Sequence, residues 1–200
     1  MRPSLALALL WLLPLAAAAQ PALPSDLDGR TERIRAAKDS LLRHGDESPL
    51  LAVDRPAFAG LPYYPLDPAN RLVGEFYRYG APRQIQVPTN GEGTIAMERF
   101  GRLKAQWQGK DFWLEVYRNP DAGSVEVFFK DATNGLQTYS GGRYVPLTAL
   151  GQGYYLLDFN MAYNPYCAYN PEYICPIPPP ENLLPFAVAG GEMDYPQAPR

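Results

Sequence analysis

Asp158, Asn160, Asn164, Asn170, Glu181 and Asn182 place polar side chains at short intervals along one stretch of chain, with Cys167 and Cys175 among them and Asp131 and Arg143 upstream. Two carboxylates such as Asp158 and Glu181 can divide the acid and the base or nucleophile roles of glycoside hydrolysis, which makes them the candidate catalytic residues. Arg143, Asp158, Asn160, Asn164, Asn170 and Glu181 are alternatively the donors and acceptors of a small polar ligand pocket. In that pocket Arg143 would grip a carboxylate, Asp158 first, through two parallel hydrogen bonds. A third reading has the same groups satisfying the backbone of a long, Pro-rich loop, whose amides cannot be buried unpaired. Tyr163, Tyr166, Tyr169 and Tyr173 serve all three, as flat surfaces for a sugar or another planar ligand or as loop packing. Spacing in sequence does not set the separation of Asp158 and Glu181, so the readings stand side by side.

Composition removes other chemistries. One His among 200 residues excludes a site with two His ligands and disfavours a Ser-His-Asp triad. The single imidazole, His44, falls where a helix is expected to end, a position where its charge would complement the helix dipole. Two Cys cannot supply the four thiolates of a structural zinc or iron–sulfur site. Neither a G-x-x-x-x-G-K-[ST] nor a G-x-G-x-x-G loop is present. No metal and no cofactor are therefore expected.

The N-terminus reads as an address. Arg2, the apolar run Leu5 to Leu15 and Ala17-Ala18-Ala19 form a secretory signal over residues 1–19, with cleavage expected after Ala19. The run is shorter than the roughly 20 apolar residues of a membrane span. Without Arg2, 17 basic residues face 21 acidic ones. That balance disfavours nucleic acid as a partner. A periplasmic or secreted location follows, and in an oxidising compartment Cys167 and Cys175 are expected to form a disulfide. Closing nine residues would remove about 2.6 kcal/mol of unfolded-chain entropy.

Residues 20–24 are a Pro-broken leader, and 25–200 read as one domain. Ser25–Arg43 is expected to be a helix capped by Ser25 or Asp26, with Leu27, Ile34, Ala37 and Leu41 on its buried face and Gly45 past its end. From Glu47 to Asn70 periodicity gives way to five Pro and to apolar plugs, Leu50, Leu51, Phe58, Leu61, Tyr63 and Tyr64, which suit a wrap over a sheet. Beyond Arg71 the period is two. Arg71–Tyr77, Gln84–Thr89, Thr94–Phe100, Leu103–Trp107, Asp111–Arg118, Val125–Lys130 and Tyr154–Phe159 read as strands separated by turn signals. The expected fold is mainly β, an antiparallel sandwich or barrel with one N-terminal helix and a Pro-rich C-terminal loop, in which Pro185–Ala189 adds a last strand.

The run D-F-N-x-A-Y-N-P-x-C-A-Y-N from Asp158 to Asn170, followed by C-P-x-P-P-x-E-N from Cys175 to Asn182 and by Gly190-Gly191-Glu192, resembles an uncharacterised bacterial family, domain-of-unknown-function family 1684. Asp131-x-Thr133-x-Gly135, Thr138-Tyr139, Gly142-Arg143-Tyr144 and Phe58-x-Gly60-Leu61-x-Tyr63 extend the resemblance over nearly all of the mature chain. It implies no settled activity. It also implies relatives without a signal segment, in which a bridge between the two Cys would not persist and a thiolate role regains ground.

Together these features describe an exported binding or accessory module for a small polar ligand or envelope component. A carboxylate-dependent hydrolase and a purely structural periplasmic protein are the alternatives.

Overall fold

The computed structural model of the protein describes residues 20–120 and 122–195. Residues 1–19, expected to be a secretory signal, lie outside the described residues. One helix, α1 (Leu27–His44), precedes six strands: β1 (Arg71–Pro88), β2 (Thr94–Trp107), β3 (Lys110–Arg118), β4 (Val125–Phe129), β5 (Arg143–Gly151) and β6 (Tyr154–Asp158). Each strand pairs antiparallel with the next, and β6 returns to β1, closing a barrel. The mainly β expectation holds, and the structure selects the barrel.

Alternation decides what lies inside. Leu103, Ala105, Leu114, Val116, Val127, Phe129, Val145 and Leu157 fill the barrel together with Phe100 and Phe159. The intervening positions point outward, and Met97, Tyr117, Phe128 and Tyr144 gather there into a second cluster. Two hairpins are closed by pairs of residues with positive φ, Gln108-Gly109 (48° and 77°) and Gln152-Gly153 (53° and 81°). That is the backbone which matches strand twist in a two-residue loop.

Strand boundaries differ from the sequence reading in four places. Arg71–Tyr77 and Gln84–Thr89 are one strand, because the pairing of β1 with β2 shifts register between Arg78 and Arg83 instead of breaking at Gly80–Pro82. Thr94–Phe100 and Leu103–Trp107 are likewise continuous through a shift at Gly101. A Cβ there would lie 2.5 Å from the Phe76 ring and 2.6 Å from the Tyr77 carbonyl oxygen. β5 was not expected, since Pro146 interrupts it. The strand pairs with β4 as far as Pro146 and with β6 from Leu147 onward, so the residue lacking an amide N–H sits at the changeover between partners. Pro185–Ala189 is not a strand.

The helix presents a different face from the expected one. Leu27, Thr31 and Leu42 are buried, whereas Ile34 and Leu41 are 39% and 49% exposed. Leu27, Thr31, Arg35, Lys38 and Leu42 follow helical spacing, so the inward stripe carries two cations. They are there because the helix packs on carbonyls and a carboxylate. Neither expected cap forms. Asp26 has left-handed backbone without a side-chain cap bond, and its carboxylate accepts from Arg33 at 3.0 Å. The wrap from Glu47 to Asn70 buries Leu50, Phe58 and Leu61 with Leu42, Tyr169 and Tyr195.

Candidate functional site

Arg143 opens β5 on the side that alternation sends into the barrel mouth, and it is fully buried. Its Nη2 donates to Asp131 Oδ2 at 2.8 Å and to the Val188 carbonyl at 2.9 Å. Its Nη1 donates to the Gly190 carbonyl at 2.5 Å and the Glu192 carbonyl at 3.2 Å. Asp131 Oδ1 accepts from the Thr133 amide and hydroxyl and from the Val188 amide. Arg143 therefore ties the C-terminal segment across the barrel end, with Asp131 and not Asp158 as its partner.

Asp158 closes β6 on the outer side, opposite Arg71 in register, and pairs with Arg71 Nε at 3.2 Å. Its other oxygen accepts from the amide and side chain of Asn160. Asn160 in turn exchanges hydrogen bonds with the Asp67 backbone, and its carbonyl accepts from Arg35 Nη2 at 2.9 Å. Asn170 caps its own turn through the Glu172 amide. The Asn164 side chain donates to the Met193 carbonyl, and its Oδ1 is buried without a partner.

Glu181 is exposed on the short 3-10 turn Pro180–Asn182. It is not gathered with Asp158, whose carboxylate is engaged elsewhere, so the expected catalytic pair is not assembled. Asn182 beside it is buried and mends the barrel. β3 and β4 share only the pairs Tyr117↔Glu126 and Arg118↔Val125. Asn182 Oδ1 accepts from the Glu115 amide at 2.7 Å, and its Nδ2 donates to the carbonyls of Glu115 at 2.9 Å and Phe128 at 2.8 Å. One side chain thus serves backbone groups of both strands where the ladder between them has ended.

A polar centre that sequence reading missed lies under the helix. Glu192 is 1% exposed. Its Oε1 accepts from Lys38 Nζ at 2.5 Å, and its Oε2 accepts from the Asn164 amide at 2.8 Å and from the Tyr169 hydroxyl. Burial and this carboxylate push the Tyr169 phenol well above its ordinary range, so it stays a donor. Glu192 closes a motif that sequence reading did quote. Its partner Lys38 is remote in sequence and gave no signal.

Cys167 and Cys175 are free thiols, which corrects the expected disulfide. The loop is held by other bonds: the Cys167 amide donates to Cys175 Sγ at 3.4 Å, and the Cys175 amide donates to Asn90 Oδ1 at 2.7 Å. Hydrogen bonds from Cys175 and Tyr139 bring the half-buried Cys167 thiol down to about 7, while the buried Cys175 thiol is driven up.

The loop from Tyr163 to Pro176 roofs a cleft on the outer face of the barrel. Tyr163 exchanges backbone hydrogen bonds with Tyr144 of β5 at one end, and Pro176 bridges to Thr89 at the other. Between these anchors lies a cavity of about 350 Å³, with Ile95, Met97 and Phe128 among its lining and Tyr144, Tyr163, Tyr166 and Tyr173 contributing rings. Tyr144 and Tyr163 stand edge to face (5.7 Å, 81°), as do Tyr166 and Tyr173 (5.3 Å, 80°). Burial raises the Tyr144 and Tyr163 phenols above their ordinary range. Glu126 is the charged residue in this lining, and its Oε2 accepts from the Tyr163 hydroxyl at 2.8 Å. A second cavity of about 440 Å³ adjoins it through Tyr163 and Tyr166 and reaches Ile34, Lys38 and Leu41 of the helix.

Residues 56–193 match the family described as "Protein of unknown function (DUF1684)". The chain belongs to this family. It is also similar to an uncharacterized protein of Haloarcula marismortui solved by solution NMR, at 31% identity over 86% of this chain and 97% of that one, with a TM-score of 0.68. No curated protein matches.

The matched family region contains the whole barrel, the loop and the cleft, and leaves out α1 (Leu27–His44). Within it, Asp131, Arg143, Asp158, Asn160, Asn182 and Glu192 spend their hydrogen bonds on the chain itself. Among the described residues no helix is long and apolar enough to cross a membrane, and no group of three His, Cys, Asp or Glu is placed to hold a metal ion.

Proposed function

We propose that the protein is an exported small-ligand binding module whose site is the tyrosine-lined cleft beneath the signature loop. The observation that carries this reading is the contrast inside that loop. Its asparagines Asn164 and Asn170 are buried and bonded to backbone, whereas Tyr163, Tyr166 and Tyr173, with Tyr144 of β5, line a cavity of about 350 Å³, within the size range of small-molecule sites. Two of the residues read as ligand contacts act one step back, bracing the roof itself: Asn164 donates to the Met193 carbonyl and Asn170 accepts from the Glu172 amide. The carboxylate hydrolase reading has no such support, because Asp158 is committed to Arg71 and Asn160.

A purely structural role is the second reading, favoured by the near-saturation of the buried polar groups. Thermal shift separates the two. A ligand at a hundred times its Kd stabilises the folded state by about 2.7 kcal/mol. Ile95→Trp, which places an indole in the cleft, should abolish the response to any such ligand while leaving the unliganded Tm close to that of the parent. A library with no ligand whose effect Ile95→Trp removes would return the protein to the structural reading. Export rests on residues 1–19 and is tested by N-terminal sequencing of the mature protein, which should begin at Gln20.

A further inference from the structure

We propose that the cleft selects an organic ammonium cation with a compact apolar body, an inference that rests on the cleft being the binding site. Three features of the geometry converge on that chemistry.

The first is an imbalance of charge. Glu98, Glu115, Asp131, Asp158 and Glu192 each sit in an ion pair with an Arg or Lys. Glu126, half-buried on the outward side of β4, has the Tyr163 phenol as its partner, and none of the ion pairs among the described residues includes it. The cleft lining contains no Lys or Arg. A carboxylate partly removed from water beside aromatic rings, without a cation of its own, lowers the free energy of a cation placed next to it.

The second is the arrangement of the rings. Four Tyr in two perpendicular pairs present both faces and edges to the cavity, and the negative faces of such rings attract a cation within about 6 Å. The protein already uses this surface: Lys38 Nζ lies 5.0 Å from the Tyr163 ring centroid, on the side of the adjoining cavity. Tyr163 therefore has one cationic neighbour from the chain itself and also lines the cleft beside Glu126.

The third is the remaining lining. Ile95, Met97 and Phe128 make the floor apolar, which suits alkyl groups and disfavours a hydrated inorganic ion. A bare metal cation would need several oxygen ligands, and the cleft offers one carboxylate.

Isothermal titration of the full mature chain with choline, tetramethylammonium and the neutral isostere 3,3-dimethylbutan-1-ol tests the proposal. Choline is expected to bind roughly tenfold or more tightly than the neutral isostere. Glu126→Gln, which keeps an acceptor for Tyr163, should weaken choline several-fold, leave it only the preference that the rings supply, and leave the alcohol unchanged. Equal binding of the two probes, or choline binding indifferent to Glu126→Gln, overturns the cation assignment while the binding module stands. Failure of both ammonium probes with p-cresol still bound, and displaced by Ile95→Trp, has the same meaning. Failure of all four probes removes the cation assignment, and the thermal-shift library then decides whether the binding reading stands.

Discussion

The barrel mouth around Arg143 and the cleft around Tyr163 are both covered by the chain that follows β6, yet they are opposite in kind. In the mouth, donors and acceptors are matched nearly one to one and solvent is excluded. In the cleft, rings and a carboxylate face a space the chain does not fill. A dense group of buried polar side chains is therefore a poor guide to a ligand when each member answers a backbone group, because such groups are what a long irregular segment needs in order to be buried at all. A ligand site is better recognised where the chain leaves interaction capacity unspent.

The largest effect should come from breaking the mouth. Arg143→Ala leaves Asp131 charged and unpaired in a fully buried position, and loss of one partner of such a pair costs about 3–5 kcal/mol. Denaturant unfolding should show a lower midpoint, and the carbonyls of Val188, Gly190 and Glu192 would lose their donor as well. Arg143→Lys should recover only part of the stability, since one ammonium cannot reach the four acceptors that the planar fork serves. An Arg143→Ala protein of parental stability would mean that the buried pair contributes nothing to closing the barrel.

Asn182 should come next. Its alanine variant strands one amide and two carbonyls between β3 and β4, and unsatisfied buried groups cost about 1–3 kcal/mol each, with partial relief from water; about 3 kcal/mol in total is expected. Hydrogen exchange sharpens the assignment: protection should fall first at the Glu115 amide, which donates to Asn182 Oδ1. Asn182→Asp, which sets a buried carboxylate oxygen against the Glu115 and Phe128 carbonyls, should be at least as destabilised as the alanine variant.

These two residues also show what sequence can and cannot convey. The strands were readable because alternation is local: Val125, Val127 and Phe129 inward, Glu126 and Phe128 outward. The missed strand and the false breaks came from Pro146 and Gly80–Pro82, whose effect depends on which neighbour each strand has at that point. Site residues suffered more, because pairing is a property of register. Arg71 faces Asp158 directly across β1 and β6, so the partner wrongly sought in Arg143 was already present in the strand ladder, visible only once β6 is known to return to β1. Glu192 needed Lys38 from a helix whose inward stripe is partly cationic, against the apolar rule used to choose its face. Of the four Tyr noted for their flat surfaces, Tyr169 is fully buried beside Glu192, and the other three line the cleft.

Cys167 tests the boundary between the two regions, since it lies in the roof and touches Tyr139 on one side and Cys175 on the other. A thiol whose folded value, about 7, lies below the ordinary value of about 8.5 gives stability that is present above the ordinary value and lost as pH falls through about 7. Cys167→Ser should therefore flatten a small rise in stability between pH 7 and roughly 8.5. Alkylation by iodoacetamide should be faster at Cys167 than at the buried Cys175 and should increase through pH 7. Equal rates at both thiols, or a slope that survives Cys167→Ser, would assign the acidity elsewhere.

The smallest effect on stability should come from the cleft, and that smallness is the point of the comparison. Tyr166 is 44% exposed and stacks edge to face with Tyr173. Tyr166→Leu removes a ring that the folded chain barely needs, so unfolding should change by no more than about 0.5 kcal/mol. Removing the same ring should weaken choline binding several-fold, because a cation near an exposed aromatic face gains about 0.5–1 kcal/mol. A residue that matters to the ligand and hardly to the fold is the inverse of Arg143. If Tyr166→Leu instead destabilised the protein as Arg143→Ala does, the Tyr rings would belong to the packing of the loop, and the two regions would be one.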